Sequence, residues 1–137
     1  MPSDAQTLTN MIYRYAELFD TGDFDGFAQQ FEHGVWFRAE PGAEATRRWI
    51  DEHVVLHDGL PRTKHVTTNL ILDVDEEAGA ATARSYITVL QATPDLPLQP
   101  IFSGRYHDRF ERVDGEWQWR ERTVLSDLRG NTTYHTH

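Results

Sequence analysis

The strongest constraint on the fold is a change in hydrophobic period near Pro61. Before this residue apolar side chains recur at helical spacing, and after it they alternate as they do in β-strands. A succession of helices followed by a meander of antiparallel strands is typical of an α+β domain. Strands of ten or more residues coil strongly, so we expect a cone-shaped curved antiparallel sheet with the N-terminal helices packed over its concave face. Four long strands are predicted, at residues 63–73, 80–91, 101–113 and 116–127.

The first part of the chain predicts three helices. A buried apolar stripe and a capping-box pattern mark the first helix, at residues 4–19. A short helix at 24–30, a strand-like run at 34–38 and a helix at 44–56 follow. These helices are the ones expected to cover the concave face of the sheet.

Turn residues punctuate the second part of the chain. Asp114-Gly115 and residues 75–79 predict hairpin turns, while the three prolines of residues 93–100 predict a loop. The polar residues 128–137 predict a frayed tail. We therefore expect a single domain over residues 1–137, with its core at about 5–127.

Composition excludes several classes of chemistry. The chain has no cysteine, so disulfides, thiolate metal sites and cysteine nucleophiles are absent. Its net charge is −9 and it lacks a basic stripe, which argues against nucleic acid and anionic membranes as partners. It also contains no apolar run of about 20 residues and no apparent secretory signal, so a cytoplasmic location is expected.

Three candidate functional features have more than one interpretation. Alternation on the first long strand places His65, Thr67 and Asn69 on one face, which meets either water or a polar-lined cavity. Asp20 ends the first helix, where the helix dipole disfavours an acid, so it serves either the following turn or another purpose. Tyr15 lies on the buried stripe, as either a core or a catalytic tyrosine.

Other candidates carry less information. His53 and His57 stand four residues apart, but no third ligand is evident, so a solvated helix face is favoured and no metal is expected. Arg105 and Arg122 fall on long strands, where they can form ion pairs in a pocket or in a dimer interface. Trp117 and Trp119 share one strand face, and we interpret them as packing on the outer surface of the sheet.

Several segments resemble the nuclear transport factor 2 superfamily, most closely its polyketide-cyclase-like (SnoaL-like) branch, which includes scytalone dehydratase. The resemblance covers about residues 5–127. The matching segments are residues 13–24, 62–69 and 104–108, together with Ser85-Tyr86, Gly115-Glu116-Trp117, Arg122 and Asp127.

The resemblance implies an active site. In dehydratase-like members an Asp at the end of the first helix orients a His on the first long strand, which corresponds to Asp20 and His65, and the family tyrosine corresponds to Tyr15. A neutral imidazole can remove a proton next to a carbonyl, and a phenol can stabilise the enolate. The second long strand lacks the acid or histidine that some relatives carry there. Substrate contacts are expected from Asn69, Tyr86 and His107, and one of the last two would replace the missing group.

The expected function is a cofactor-independent lyase of the dehydratase type that acts on a hydrophobic, ring-containing small molecule. The alternatives are an isomerase or cyclase of the same superfamily, a non-catalytic ligand binder, or a homologue of the small subunit of ring-hydroxylating dioxygenases. No cofactor is expected, because no phosphate loop or dinucleotide fingerprint is present. In this superfamily the outer sheet face commonly forms a dimer, so the resemblance also implies a homodimer through that face.

Overall fold

The computed structural model describes residues 1–137 and places three helices against one five-stranded sheet. The strand order is β1-β5-β4-β3-β2, and only β1 pairs in parallel. This arrangement confirms the predicted α+β fold with N-terminal helices. The elements are α1 (Asp4–Asp20), α2 (Phe24–Gln29), β1 (Val35–Trp36), α3 (Ala43–His53), β2 (Thr63–Asp75), β3 (Ala80–Thr93), β4 (Leu96–Val113) and β5 (Glu116–Arg129).

Helix α1 is fixed at both ends and along one face. The Ser3 hydroxyl accepts a hydrogen bond from the Gln6 backbone N–H at 3.1 Å, which caps the first turn. The Thr21 hydroxyl donates to the Glu17 carbonyl at 2.7 Å where the helix ends. Burial of each large apolar side chain contributes about 1.5–3 kcal/mol, so this stripe anchors the helix to the core. The buried residues of the stripe are Leu8, Ile12, Tyr15 and Phe19.

The β4–β5 hairpin has the predicted two-residue turn. Val113 pairs with Glu116, and the connecting residues Asp114 and Gly115 have φ angles of 53° and 81°. Positive φ at both central positions matches the turn type whose twist fits a hairpin, and Asp-Gly tolerates it well. The prediction of this turn is therefore confirmed.

The predicted loop at residues 93–100 is wrong for most of its length. Strand β4 begins at Leu96 and passes through Pro97 and Pro100, while β3 extends to Thr93. The pairing register shifts next to Leu90 and again after Gln91, so this part of the ladder is irregular. Proline is tolerated in a sheet at such irregular positions because no regular ladder hydrogen bond is lost there.

The predicted frayed tail is also wrong. After β5 the chain returns to the end of α3, where the Val55 N–H donates to the His135 carbonyl at 2.8 Å. The His137 N–H donates to the His53 carbonyl at 2.9 Å, and Val54 forms an isolated bridge with Thr136. The polar composition of the tail predicted fraying. Backbone hydrogen bonds to the distant end of α3 keep the tail ordered instead.

A bulge in β2 reverses the predicted faces halfway along the strand. The register against β3 shifts between Thr68 and Ile71, and Asn69 has a φ of 54°. His65 lies on the inner face before the bulge, and Leu70 packs against the core after it, whereas Ile71 is exposed. An extra residue in one strand changes the face of every later side chain, so strict alternation fails here.

Trp117 and Trp119 lie on the concave face, so the prediction of surface packing is wrong. Trp119 is buried, with its ring centroid 4.4 Å from that of Phe110 and 5.3 Å from that of Phe31. The Trp117 indole N–H donates to Asp4 at 3.0 Å. Both tryptophans therefore pack the helices against the sheet. None of the helices is both long enough and apolar enough to cross a membrane.

Candidate active site

A cavity of about 360 Å³ lies on the concave side of the sheet. This volume is within the range of about 300–1,000 Å³ that is common for small-molecule sites. The C-terminal segment contributes to its wall through His135 and neighbouring residues. Its aromatic lining consists of Tyr15, Phe19, Trp36, Phe37, Trp49, Phe102 and Tyr106.

Asp20 and His65 form a hydrogen-bonded pair at this cavity. Asp20 is the last residue of α1, and one of its carboxylate oxygens lies 2.7 Å from His65 Nδ1. The same carboxylate accepts the His65 backbone N–H at 2.7 Å and the Thr63 hydroxyl at 2.8 Å. Only 9% of the Asp20 side chain and 8% of the His65 side chain are exposed. Asp20 therefore binds strand β2. These hydrogen bonds explain why an acidic residue stands at the C-terminus of α1, where the helix dipole disfavours it.

The electrostatics of the pair fix the orientation of the imidazole. Burial by itself raises the pKa of Asp20, but hydrogen bonds and charge from His65 outweigh it, so this pKa lies below its usual value. Asp20 is therefore an anion that accepts from Nδ1–H of His65. The other ring nitrogen, Nε2, is left as the acceptor on a ring that lines the cavity.

Tyr15 lies beside the pair in the cavity wall. Its ring centroid is 6.5 Å from that of His65, and its hydroxyl oxygen accepts the Trp36 indole N–H at 3.0 Å. A phenol that accepts through its oxygen still has its own proton to donate. Tyr15 is thus both a buried residue of the α1 stripe and a phenol in the wall of the cavity.

A buried ion pair, Asp108–Arg122, packs against the ring of Tyr15. Asp108 accepts two hydrogen bonds from Arg122, at 2.7 and 2.8 Å, and neither side chain is exposed. The Arg122 guanidinium lies 4.2 Å from the ring centroid of Tyr15 and 3.5 Å from that of Tyr106. Burial opposes the charge of Arg122, but Asp108 outweighs it and the pKa of Arg122 is raised. Arg105 instead pairs with Asp127 at 2.9 Å on an exposed part of the sheet.

His135 is a pocket residue that sequence reasoning missed. Its ring centroid lies 6.2 Å from that of His65 and 6.0 Å from that of Phe19. Its Nδ1 atom is buried and has no hydrogen-bond partner. Burial, together with the neighbouring His65, lowers the pKa of His135 to about 4, so the ring is neutral at neutral pH. Nothing in the polar sequence of the tail distinguishes this histidine from a solvated one.

Acid is expected to destabilise the folded tail through His135. The unfolded chain gains this proton near pH 6.5, whereas the folded protein resists it down to about pH 4. Stability is therefore lost as the pH falls from about 6.5 towards 4. Between pH 7 and pH 5 the unfolding free energy of the wild-type protein should decrease by about 1–2 kcal/mol more than that of the His135→Phe variant. Urea denaturation at the two pH values measures both decreases. An identical pH dependence in the variant and the wild-type protein would contradict this assignment.

Comparison with known proteins identifies the fold family. The SnoaL-like domain profile matches residues 3–123. The chain belongs to the SnoaL-like family. This confirms the resemblance seen in the sequence, and the SnoaL-like match covers Asp20, His65, Tyr15 and the buried ion pair. No functionally curated protein matches the sequence.

Solved structures agree with the SnoaL-like assignment. A variant of Rv3472, a protein of unknown function from Mycobacterium tuberculosis, is 32% identical with a TM-score of 0.75, over 90% of this chain and 72% of that one. An NTF2-like protein with a cystatin-like fold from Novosphingobium aromaticivorans is 19% identical with a TM-score of 0.74, over 96% and 86%. A candidate scytalone dehydratase from the same organism is 21% identical with a TM-score of 0.71, over 91% and 85%. The last two similarities show the fold alone.

Three residues predicted as substrate contacts lie outside the SnoaL-like pocket, so the fold does not bring them to the candidate site. Asn69 is exposed at the bulge, and Tyr86, which pairs with Thr68, is 53% exposed. His107 is exposed on the convex face, because its neighbour Tyr106 is the β4 residue that turns inward. Which face of the sheet each of these side chains occupies depends on the bulges and on the pairing between strands. Alternation within a single strand does not predict it.

The two histidines near α3 are also separated by the tertiary structure. The helix ends at His53, whose ring stacks on Trp49 at 4.3 Å and whose Nδ1 lies 2.9 Å from the Trp49 carbonyl oxygen. His57 follows in the next loop, with Nε2 2.8 Å from the Tyr134 carbonyl oxygen. The two rings therefore belong to different surroundings, and no group of three or more potential ligands is close enough to hold a metal.

Proposed function

We propose that this SnoaL-like protein is a cofactor-independent lyase of the dehydratase type, which acts on a hydrophobic, ring-containing small molecule. The observation that carries the proposal is the Asp20–His65 hydrogen bond of 2.7 Å at the wall of an aromatic cavity. A histidine buried only for packing needs no buried carboxylate partner. A buried carboxylate next to an imidazole fixes the tautomer of the ring and stabilises the imidazolium, which supports general-base catalysis.

The reaction begins with proton transfer to His65. Its Nε2 removes a proton from the carbon next to the substrate carbonyl, and Asp20 stabilises the imidazolium that forms. Tyr15 donates a hydrogen bond to the carbonyl oxygen as negative charge develops there. The enolate then expels a hydroxyl group from the β-carbon, and the proton held by His65 completes the departing water. The substrate loses one water and gains one carbon–carbon double bond.

The surroundings of Tyr15 favour its role as a donor. Trp36 occupies the phenol oxygen from one side, and the Arg122 cation lies over the ring. Both interactions draw electron density from the phenol and strengthen its hydrogen bond to a developing enolate. Tyr106 has its pKa raised well above the usual value, chiefly by burial, and so stays a neutral phenol in the wall.

An isomerase is the second candidate. In it the same base returns the proton to another carbon of the substrate, so no leaving group departs. The observation in its favour is that no Asp or Glu lines the cavity, and His135 is neutral there at neutral pH. A single base that both takes and returns a proton fits this inventory. A non-catalytic binder would use the same cavity without proton transfer.

Deuterium exchange tests proton removal without knowledge of the natural substrate. β-Tetralone is a bicyclic ketone small enough for a cavity of about 360 Å³, with exchangeable protons next to its carbonyl. We expect the wild-type protein to accelerate its exchange in deuterium oxide, followed by NMR. A set of hydrated and conjugated ring ketones then separates loss of water from double-bond migration. No acceleration with any ring ketone would favour the non-catalytic binder.

A homodimer is the quaternary structure that we propose. Large apolar side chains protrude from the convex face of the sheet, which no helix covers. Soluble monomers seldom expose many such side chains together, and a second copy would bury them. The exposed residues include Val66, Ile71 and Tyr86.

A further inference from the structure

The lining of the cavity is basic although the protein is acidic. The chain has 22 acidic residues against 13 lysines and arginines, with a net charge of −9. Twenty residues line the cavity, and none of them is Asp or Glu. Asp20 lies behind His65 rather than in the wall. The titratable residues with basic side chains in the lining are Arg38, Arg129, His53, His65, His135 and His137.

Two arginines of this lining are free of acidic partners. Arg38 follows β1 and lies 5.1 Å from the ring centroid of Phe37, while Arg129 ends β5 with a long contact of 3.4 Å to the Thr132 hydroxyl. Both are exposed, and neither forms a salt bridge. By contrast, six of the other ten arginines pair with a carboxylate: Arg47, Arg105, Arg109, Arg112, Arg120 and Arg122.

The unpaired arginines form no ion pair that would stabilise the fold, but they can bind an anionic ligand. Unpaired guanidinium groups beside a cavity offer planar, paired donors that match a carboxylate. The field of a protein with a net charge of −9 repels anions at long range, so an anionic ligand needs local cations at its site. An uncharged ligand needs none, and the aromatic wall alone would hold it.

We propose that the pocket binds a planar, ring-containing organic anion, with its rings against the aromatic wall and its charged oxygens at Arg38 and Arg129. The inference rests on the proposed function only in that both place the ligand in the same cavity. It specifies the substrate class: a hydrophobic ring compound that carries a carboxylate or an equally anionic group. Catalysis by His65 is a separate claim.

Isothermal titration calorimetry with a matched pair of probes tests the charge requirement. β-Naphthoate and β-naphthamide have nearly the same shape, and only the first is charged. We expect the wild-type protein to bind the carboxylate about 10-fold more tightly than the amide at low salt. The reason is that a hydrogen bond between charged groups is stronger than one between neutral groups. The preference should shrink at about 300 mM salt, where exposed charges are screened.

Variants locate the effect. Arg38→Gln and Arg129→Gln should each weaken carboxylate binding by about 3-fold, and the double variant should bind both probes equally. Arg48→Gln is the control, because Arg48 is also exposed and unpaired but does not line the cavity. Thermal unfolding of each variant checks that the fold is retained.

Three outcomes would overturn the inference. They are equal or tighter binding of the amide by the wild-type protein, a carboxylate preference that survives in the double variant, and no binding of either probe at millimolar concentration. The His65→Gln variant keeps the arginines and should retain the preference. Failure of the charge requirement is therefore distinguishable from failure of His65 catalysis, which the exchange assay measures.

Discussion

Replacement of His65 by glutamine is expected to slow the exchange of β-tetralone protons by about 100-fold or more. Glutamine approximates the size of the imidazole and can still hydrogen bond to Asp20, but it is not a base of suitable strength. General-base catalysis contributes about 10²–10⁴ in rate, and no other group in the cavity is paired with a carboxylate as His65 is. NMR measurement of exchange rates at equal protein concentration gives the comparison.

Two further variants distinguish the pair from a general loss of structure. Asp20→Asn should cause a comparable loss of exchange, since an amide N–H facing Nδ1 favours the tautomer that lacks a lone pair on Nε2. His107→Gln removes a histidine from the convex face and should leave the rate unchanged. A His65→Gln variant that exchanges as fast as the wild-type protein would refute the proposed mechanism.

The second large effect concerns stability. Asp108→Asn is expected to reduce the free energy of unfolding by about 3–5 kcal/mol, because the fully buried Arg122 cation loses its only carboxylate partner. The remaining contacts of Arg122 are with aromatic ring faces, which do not replace a bidentate carboxylate. One of its nitrogens, Nη1, already lacks a hydrogen-bond partner. Urea denaturation monitored by tryptophan fluorescence gives the free energy of unfolding.

The Arg105–Asp127 pair provides the matched control. It has the same chemistry on neighbouring strands, but its side chains are 43% and 44% exposed. Asp127→Asn should therefore cost less than about 1 kcal/mol, as exposed ion pairs usually do. The double variant Asp108→Leu/Arg122→Met should regain much of the lost stability, since it removes both buried charges. Equal losses in Asp108→Asn and Asp127→Asn would contradict the role given to burial.

The sequence determined the elements whose signals are local. The change of period near Pro61 predicted the order of helices and strands, the α1 stripe predicted the buried face, and Asp114-Gly115 predicted its turn. Each depends on spacing within one element, where the side-chain pattern and the backbone geometry are directly linked. The resemblance of two short segments also indicated Asp20 and His65, which the fold brings to 2.7 Å.

Tertiary structure alone decided which side chains meet in the cavity. A bulge at Asn69 reversed one strand, and sheet pairing sent Tyr86 and His107 outward. Backbone hydrogen bonds from the end of α3 brought the tail, and with it His135, against His65. The physical reason is the same in each case: a face or a contact depends on pairing with residues far along the chain, and local spacing carries no record of that pairing.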